Sequence, residues 1–213
     1  MRHPTLYGYW RSSAAYRVRI AASLKSLALD HVAVHLRTGE QLTPEFRARN
    51  PAGLVPVYAE ADFSLTQSLA ILEYLDETHP EPRLLPGDAR SRARIRELAL
   101  MIAADIHPIG NLRVLAKLTA DYGADDAARA AWNRHWIGLG FAAIESRLKD
   151  SAGRFCVGDD VTLADVCLVP QVYNARRFNL DLTPYPLIAR IDAAARALPA
   201  FAAAAPEHQS DAE

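Results

Sequence analysis

The stretch YGYWRSSAAYRVRIAASLKSL, residues 7 to 27, sets two adjacent hydroxyls, Ser12 and Ser13, between a strand-like segment and a helical, basic pattern. That layout suits an anion. The first turn of a helix leaves N–H groups without intrahelical partners and carries the positive end of the helix dipole, and a serine hydroxyl can donate one more hydrogen bond. The same pair also reads as a plain N-cap, and the two uses are compatible. No cysteine stands in the stretch, which leaves open what anion would be held there. Elsewhere, Cys156 and Cys167 form no CxxC or Cys/His cluster and read as reduced, structural thiols. No P-loop, GxGxxG or HExxH pattern occurs, so neither a nucleotide nor a metal is expected.

The elements that must position the serines follow from periodicity. TLYGYW (5–10) and DHVAVHL (30–36) read as short strands flanking the helix AAYRVRIAASLKSL, a parallel βαβ unit. In that helix Val18, Ile20, Ala21 and Leu24 share one face, and Arg17, Arg19 and Lys25 fall mostly on others. LTPEFRARN predicts a short helix with Thr43 as N-cap and Pro44 in its first position. VPVYAE, a turn around Asp62 and FSLT then lead to a helix that opens at Gln67–Ser68 and stops before Pro80. HPEPRLLPGD marks a linker, and beyond it the texture is helical: 88–120, 125–149, VTLADVCLVPQVYNARRF and YPLIARIDAAARALPAFAAA. Thr162 and Asp165 resemble a capping box, His107 and Asn111 lie one turn apart in the first long helix, and the polar end APEHQSDAE is expected to fray.

Bulk properties exclude several classes. The 213 residues suffice for one large core or two small ones. Net charge is −1 with half the residues apolar, which leaves no overall field for nucleic acid or an anionic membrane. No window approaches the ~20 apolar residues of a membrane span, so neither signal peptide nor anchor is expected and the default location is cytoplasmic.

The segments YWRSSAAYRVRIAASLK, NPAGLVPVY, LTQSLAILEYLDETHPEPRLLP, VTLADVCLVPQVYNARRF and DLTPYP, in this order, resemble the zeta class of cytosolic glutathione transferases. The class contains the maleylacetoacetate and maleylpyruvate isomerases. The resemblance implies an α/β thioredoxin-like, glutathione-binding domain over residues 1–84 and an all-α, substrate-binding domain over 90–213. It also implies a homodimer, glutathione as cofactor, and glutathione-dependent cis-trans isomerisation in aromatic amino-acid catabolism.

Under that resemblance the anion at Ser12 is the glutathione thiolate. A free thiol titrates near ~8.5, so working ionised near pH 6.5 takes roughly 2.7 kcal/mol. A helix N-terminus supplies about 0.3–1 kcal/mol and a hydroxyl hydrogen bond about 1.5–3 kcal/mol, which closes the gap. The family motif resembles Ser-Ser-Cys; Ser12 and Ser13 match it, while Ala14 replaces the cysteine and leaves no thiol of the chain for covalent catalysis. Val55 before a cis Pro56 matches the backbone clamp on the cysteinyl part of glutathione, Gln67 and Ser68 the γ-glutamyl carboxylate site, and Gln41 a contact to the glycine carboxylate. Arg11, Arg113 and Arg177 are the cations expected to converge on a dicarboxylate substrate, with His107 and Asn111 lining the cleft. Arg176 reads as a solvated helix residue. Two alternatives remain: a general transferase for small electrophiles such as α-haloacids, which would want an apolar pocket in place of the arginines, and a non-catalytic glutathione-fold module.

Overall fold

The computed structural model of the chain describes residues 3–213. Short runs rich in β-branched and aromatic residues form β1 (Thr5–Gly8), β2 (Asp30–Ala33), β3 (Val57–Glu60) and β4 (Phe63–Thr66). They make one sheet in the order β2-β1-β3-β4. β1 and β2 are parallel, joined through helix α1 (Ser13–Leu24), while β3 runs antiparallel to both β1 and β4. Between β2 and β3, α2 (Pro44–Arg47) begins as expected, with Thr43 Oγ1 accepting from Phe46 N at 3.3 Å. After β4, α3 (Ser68–Thr78) packs on α1, and Val18, Ile20 and Ala21 of α1 meet a core that also holds Ile71, Leu72 and Leu75.

The cations of α1 are not on a solvated face. Arg17, Arg19 and Lys25 are 1%, 6% and 8% exposed, and each has polar partners that offset desolvation. Lys25 Nζ donates to Asp76 Oδ1 at 2.9 Å and to the carbonyls of His79 and Pro82. Periodicity cannot foresee this, because α1 is covered on more than one side.

The second unit is helical. α4 (Ala89–Leu100) runs through a π-helical turn, Met101–Ile106, into α5 (His107–Ile109), and α6 (Leu112–Tyr122), α7 (Asp126–Leu148), α8 (Leu163–Arg177) and α9 (Pro186–Arg196) follow. The single helix expected over 88–120 is broken at Gly110–Asn111. Asn111 is extended (φ −66°, ψ 148°) and its Oδ1 accepts from Arg113 N at 3.3 Å, so it caps α6. Every residue of α8 from Leu163 to Val172 is buried. The expected capping at its start is present: Asp165 Oδ2 accepts from Thr162 N at 2.8 Å, and its Oδ1 accepts from Cys156 N at 2.8 Å. Cys156 and Cys167 form no disulfide and are buried, and burial pushes the Cys156 thiol well above its ordinary range.

Among the described residues the stretch Ala89–Tyr122 is long and apolar enough to cross a membrane by length and composition only, and Asp105, His107, Asn111 and Arg113 interrupt its apolar run. The break at Gly110–Asn111 interrupts its backbone hydrogen bonding, a geometry that hydrocarbon penalises.

Two compact units result: residues up to Arg83 together with Ala197–Glu213, and Leu84–Arg196. The expected helical segment 90–213 therefore gives up its end to the first unit. The reason is α10 (Pro199–Ala203), which packs on α1, buries Phe201 completely, and brings Ala204 O to Arg19 Nε at 3.1 Å. Nor does the polar end fray. Asp211 Oδ2 accepts from Trp10 N at 2.9 Å, and Glu213 pairs with His35 and with Arg37, the latter at 3.0 Å.

Candidate active site

Strand register gathers the expected glutathione contacts of the first unit. Gly8, the last residue of β1, sits opposite Ala33, the last of β2. Tyr7 sits opposite Val57, the first residue of β3, and Val57 opposite Thr66, the last of β4. The segments carrying Ser12, Gln41, Val55–Pro56 and Gln67 therefore all leave the sheet at the same end.

Ser12 is the N-cap of α1, its Oγ accepting from Ala15 N at 3.2 Å. A hydroxyl that accepts there still has its own proton to donate, so capping and anion stabilisation coexist in one group. Ser13 is the first residue of the helix and is buried. Ala14 is half-buried in the first turn.

At the other helix start, Gln67 has φ +70°, ψ 113°, a region that costs a non-glycine residue on the order of 1–3 kcal/mol. No side chain caps α3, in contrast to α1, α4, α6 and α7, whose N-caps each accept from the backbone. Ser68 is 7% exposed, and its Oγ accepts from Arg17 Nη1 at 3.1 Å. A buried guanidinium thus stands directly behind the uncapped turn, and both features favour a carboxylate there.

The Val55–Pro56 peptide is cis, as the resemblance implied. Asn50 ties the loop before it, donating from Nδ2 to Leu54 O at 2.7 Å and accepting from Ala52 N at 3.1 Å. Gly53 in this loop has φ +62°, and a Cβ there would lie 3.0 Å from Gln41 O, so the loop and the Gln41 turn are in close contact. Gln41 Nε2 donates to Leu36 O at 3.3 Å, while its Oε1 is buried without a hydrogen-bond partner. The Arg11 guanidinium lies 5.1 Å from the Trp10 ring centroid and is half-buried.

In the helical unit, Arg113 is exposed in the first turn of α6 and Arg177 is the last residue of α8, stacked 4.6 Å over Phe178. Two expectations need correction here. His107 and Asn111 do not share a helix face, because the chain leaves the helix between them. Arg176 is not merely solvated: its Nη2 pairs with Asp192 Oδ2 at 2.6 Å, and Asp192 is fully buried.

The family described as "Glutathione S-transferase, N-terminal domain" matches residues 3–77. A probable maleylacetoacetate isomerase of Vibrio cholerae is 56% identical over 209 residues, 97% of each chain. The holo structure of a maleyl pyruvate isomerase, described as a bacterial zeta-class glutathione S-transferase, superposes with TM-score 0.96 at 49% identity, covering 98% of this chain and 100% of that one. The chain belongs to the zeta class of glutathione transferases. A maleylacetoacetate isomerase from Anaeromyxobacter dehalogenans, solved with dicarboxyethyl glutathione and citrate in its active site, gives TM-score 0.89 at 47% identity, with all of both chains covered.

For a zeta-class chain, the donor set at the sheet end fits glutathione. The tripeptide brings carboxylates, a backbone to pair, and a thiol. Against these stand an uncapped helix start backed by a buried cation, a loop held beside a cis proline, a buried unpartnered amide oxygen at Gln41 and a hydroxyl with a proton to give. Sequence reasoning missed Arg17. The only signal was a charge amid apolar neighbours in Tyr16–Ile20, which helical periodicity assigns to solvent as readily as to a site.

Proposed function

We propose that this chain is a glutathione-dependent cis-trans isomerase of a short maleyl dicarboxylate, maleylacetoacetate or maleylpyruvate, working as a cytoplasmic homodimer in aromatic catabolism. The observation that carries the reading is the geometry of Ser12, a hydroxyl fixed at the N-terminus of α1 with its proton still to donate. When bound, glutathione supplies a thiolate nucleophile that adds reversibly to the cis double bond and so allows rotation to trans. Ser12 donates to that sulfur, the α1 dipole adds to the stabilisation, and Ser13 is the neighbouring hydroxyl. Gln67, Ser68 and the first turn of α3 take the γ-glutamyl carboxylate, with Arg17 behind Ser68; Val55 pairs the cysteinyl backbone and Gln41 the glycine end. Arg11, Arg113 and Arg177 hold the substrate carboxylates and stabilise charge that develops on the substrate carbonyl.

The dicarboxylate reading is supported by the bound dicarboxyethyl glutathione and citrate of the Anaeromyxobacter dehalogenans relative.

The test separates cofactor ionisation from substrate orientation. Ser12→Ala is expected to raise the pKa of bound glutathione in an ultraviolet thiolate titration and to cut turnover at neutral pH, with partial rescue at higher pH. Arg113→Ala or Arg177→Ala should leave that titration in place and lower kcat/KM for a maleyl dicarboxylate while sparing a neutral electrophile. If both substrates fall equally, the arginines are structural and a general transferase is the better description.

A further inference from the structure

The turn that delivers Ser12 is short and heavily committed. Tyr9 and Trp10 are 5% and 8% exposed, and one backbone bond, Ser12 N to Tyr9 O at 2.9 Å, closes the turn. Trp10 lies inside it. Its N–H donates to Asp211 Oδ2 at 2.9 Å, and its carbonyl accepts from Arg19 Nη2 at 2.8 Å. Arg19 Nε in turn donates to Ala204 O, just past α10, at 3.1 Å. Both backbone polar groups of the residue two before Ser12 are thus held by partners tied to the end of the chain, roughly 200 residues away in sequence. Gln209 Nε2 donates to Ala205 O at 2.8 Å and to Ala203 O, bracing the segment that presents Asp211.

We propose that Asp211 is a positioning residue for the Ser12 hydroxyl: its carboxylate, by holding the Trp10 N–H, fixes the turn that aims Ser12 at the glutathione sulfur. The proposal rests on the thiolate role of Ser12. A hydrogen bond weakens steeply with distance and angle, so a turn released at Trp10 gives Ser12 a poorer approach to the sulfur. Leaving a buried N–H unpartnered favours that relaxation. Asp211 touches neither glutathione nor substrate; it acts only through the backbone of residues 9–12.

The experiment uses the full chain with glutathione as the probe. Asp211→Ala should raise the pKa of bound glutathione in the same direction as Ser12→Ala. It should also lower kcat/KM at pH 6.5 by about tenfold, equivalent to ~1.4 kcal/mol, and speed hydrogen exchange at the Trp10 amide without speeding it in α3. Asp211→Asn keeps an oxygen that can accept from Trp10 N–H and should restore most of the rate and the titration. In a Ser12→Ala background, Asp211→Ala should add no further shift, because the group it positions is gone. A folded Asp211→Ala variant with the parental titration overturns the proposal, as does an equal additional shift in the Ser12→Ala background. Ser12→Ala titrating like the parent would sink the serine reading and this one with it. A shift in Ser12→Ala but none in Asp211→Ala removes the positioning role alone.

Discussion

Ser68 carries two obligations that compete under mutation. Its Oγ accepts from a guanidinium that is 1% exposed, and its backbone opens the uncapped α3. Ser68→Ala removes an acceptor from a buried cation, which costs on the order of 1–3 kcal/mol. The variant is expected to unfold earlier in urea even without ligand. Together with Gln67→Ala it should also weaken glutathione at least tenfold, about 1.4 kcal/mol by titration calorimetry. Full affinity in that double variant would remove the γ-glutamyl assignment. Unchanged stability in Ser68→Ala would mean that Arg17 finds another acceptor at no cost.

The passage from α4 to α6 shows how one element sets the role of its residues. A regular helix over 88–120 would put His107 and Asn111 on one face. Instead a π-helical turn at Met101–Ile106 and an extended Asn111 divide the stretch, and Asn111 becomes a cap whose side chain accepts from Arg113 N. Asn111→Ala should therefore cost about 0.5–2 kcal/mol of stability, in line with lost N-caps. Its kcat/KM per folded molecule should stay near that of the parent. A large loss of kcat/KM with stability intact would restore Asn111 to the cleft. The long α7 serves its neighbour in a similar way: buried Glu145 accepts from Leu187 N at 2.8 Å and Ile188 N at 3.0 Å, capping the start of α9 from another helix.

At the scale of the whole chain, the decisive feature is the return of residues 197–213 to the first unit. Glu213 is one of its fasteners. The hydrogen bond to His35, with Arg37 adding its charge, holds the Glu213 carboxyl below its usual value of 4.5. A carboxyl depressed in the folded state contributes stability that is fully present above its unfolded value and is lost as pH falls through the folded one. The stabilisation should accordingly be complete above about pH 4.5 and fade below it. Glu213→Gln should show a lower urea midpoint than the parent at pH 6, and the gap should shrink progressively as pH falls below about 4.5. A gap of constant size from pH 6 down through the acid range would show that the carboxylate charge is not what fastens this end. High salt should narrow the gap at pH 6 as well, because the pair is partly exposed.

The order of elements, the start of α2 at Thr43, the capping of α8 by Asp165 and the serine pair at the head of α1 were legible in the chain because each is a local matter of a few residues: periodicity, a cap, a turn. The glutathione assignment needed family resemblance as well, since a serine cap and an anion site look alike in sequence. Tertiary structure alone decided three things. It buried Arg17, Arg19 and Lys25, because α3 and α10 both cover α1 and supply acceptors that no helical wheel contains. It broke the helix after His107, because a cap at Asn111 satisfies the new helix end. It also fastened a polar tail that composition marks for fraying, because Trp10 N, His35 and Arg37 meet Asp211 and Glu213 only in the folded first unit. Hydrogen bonds and ion pairs between residues so far apart depend on the fold that brings them together, and no local pattern in either segment encodes the other.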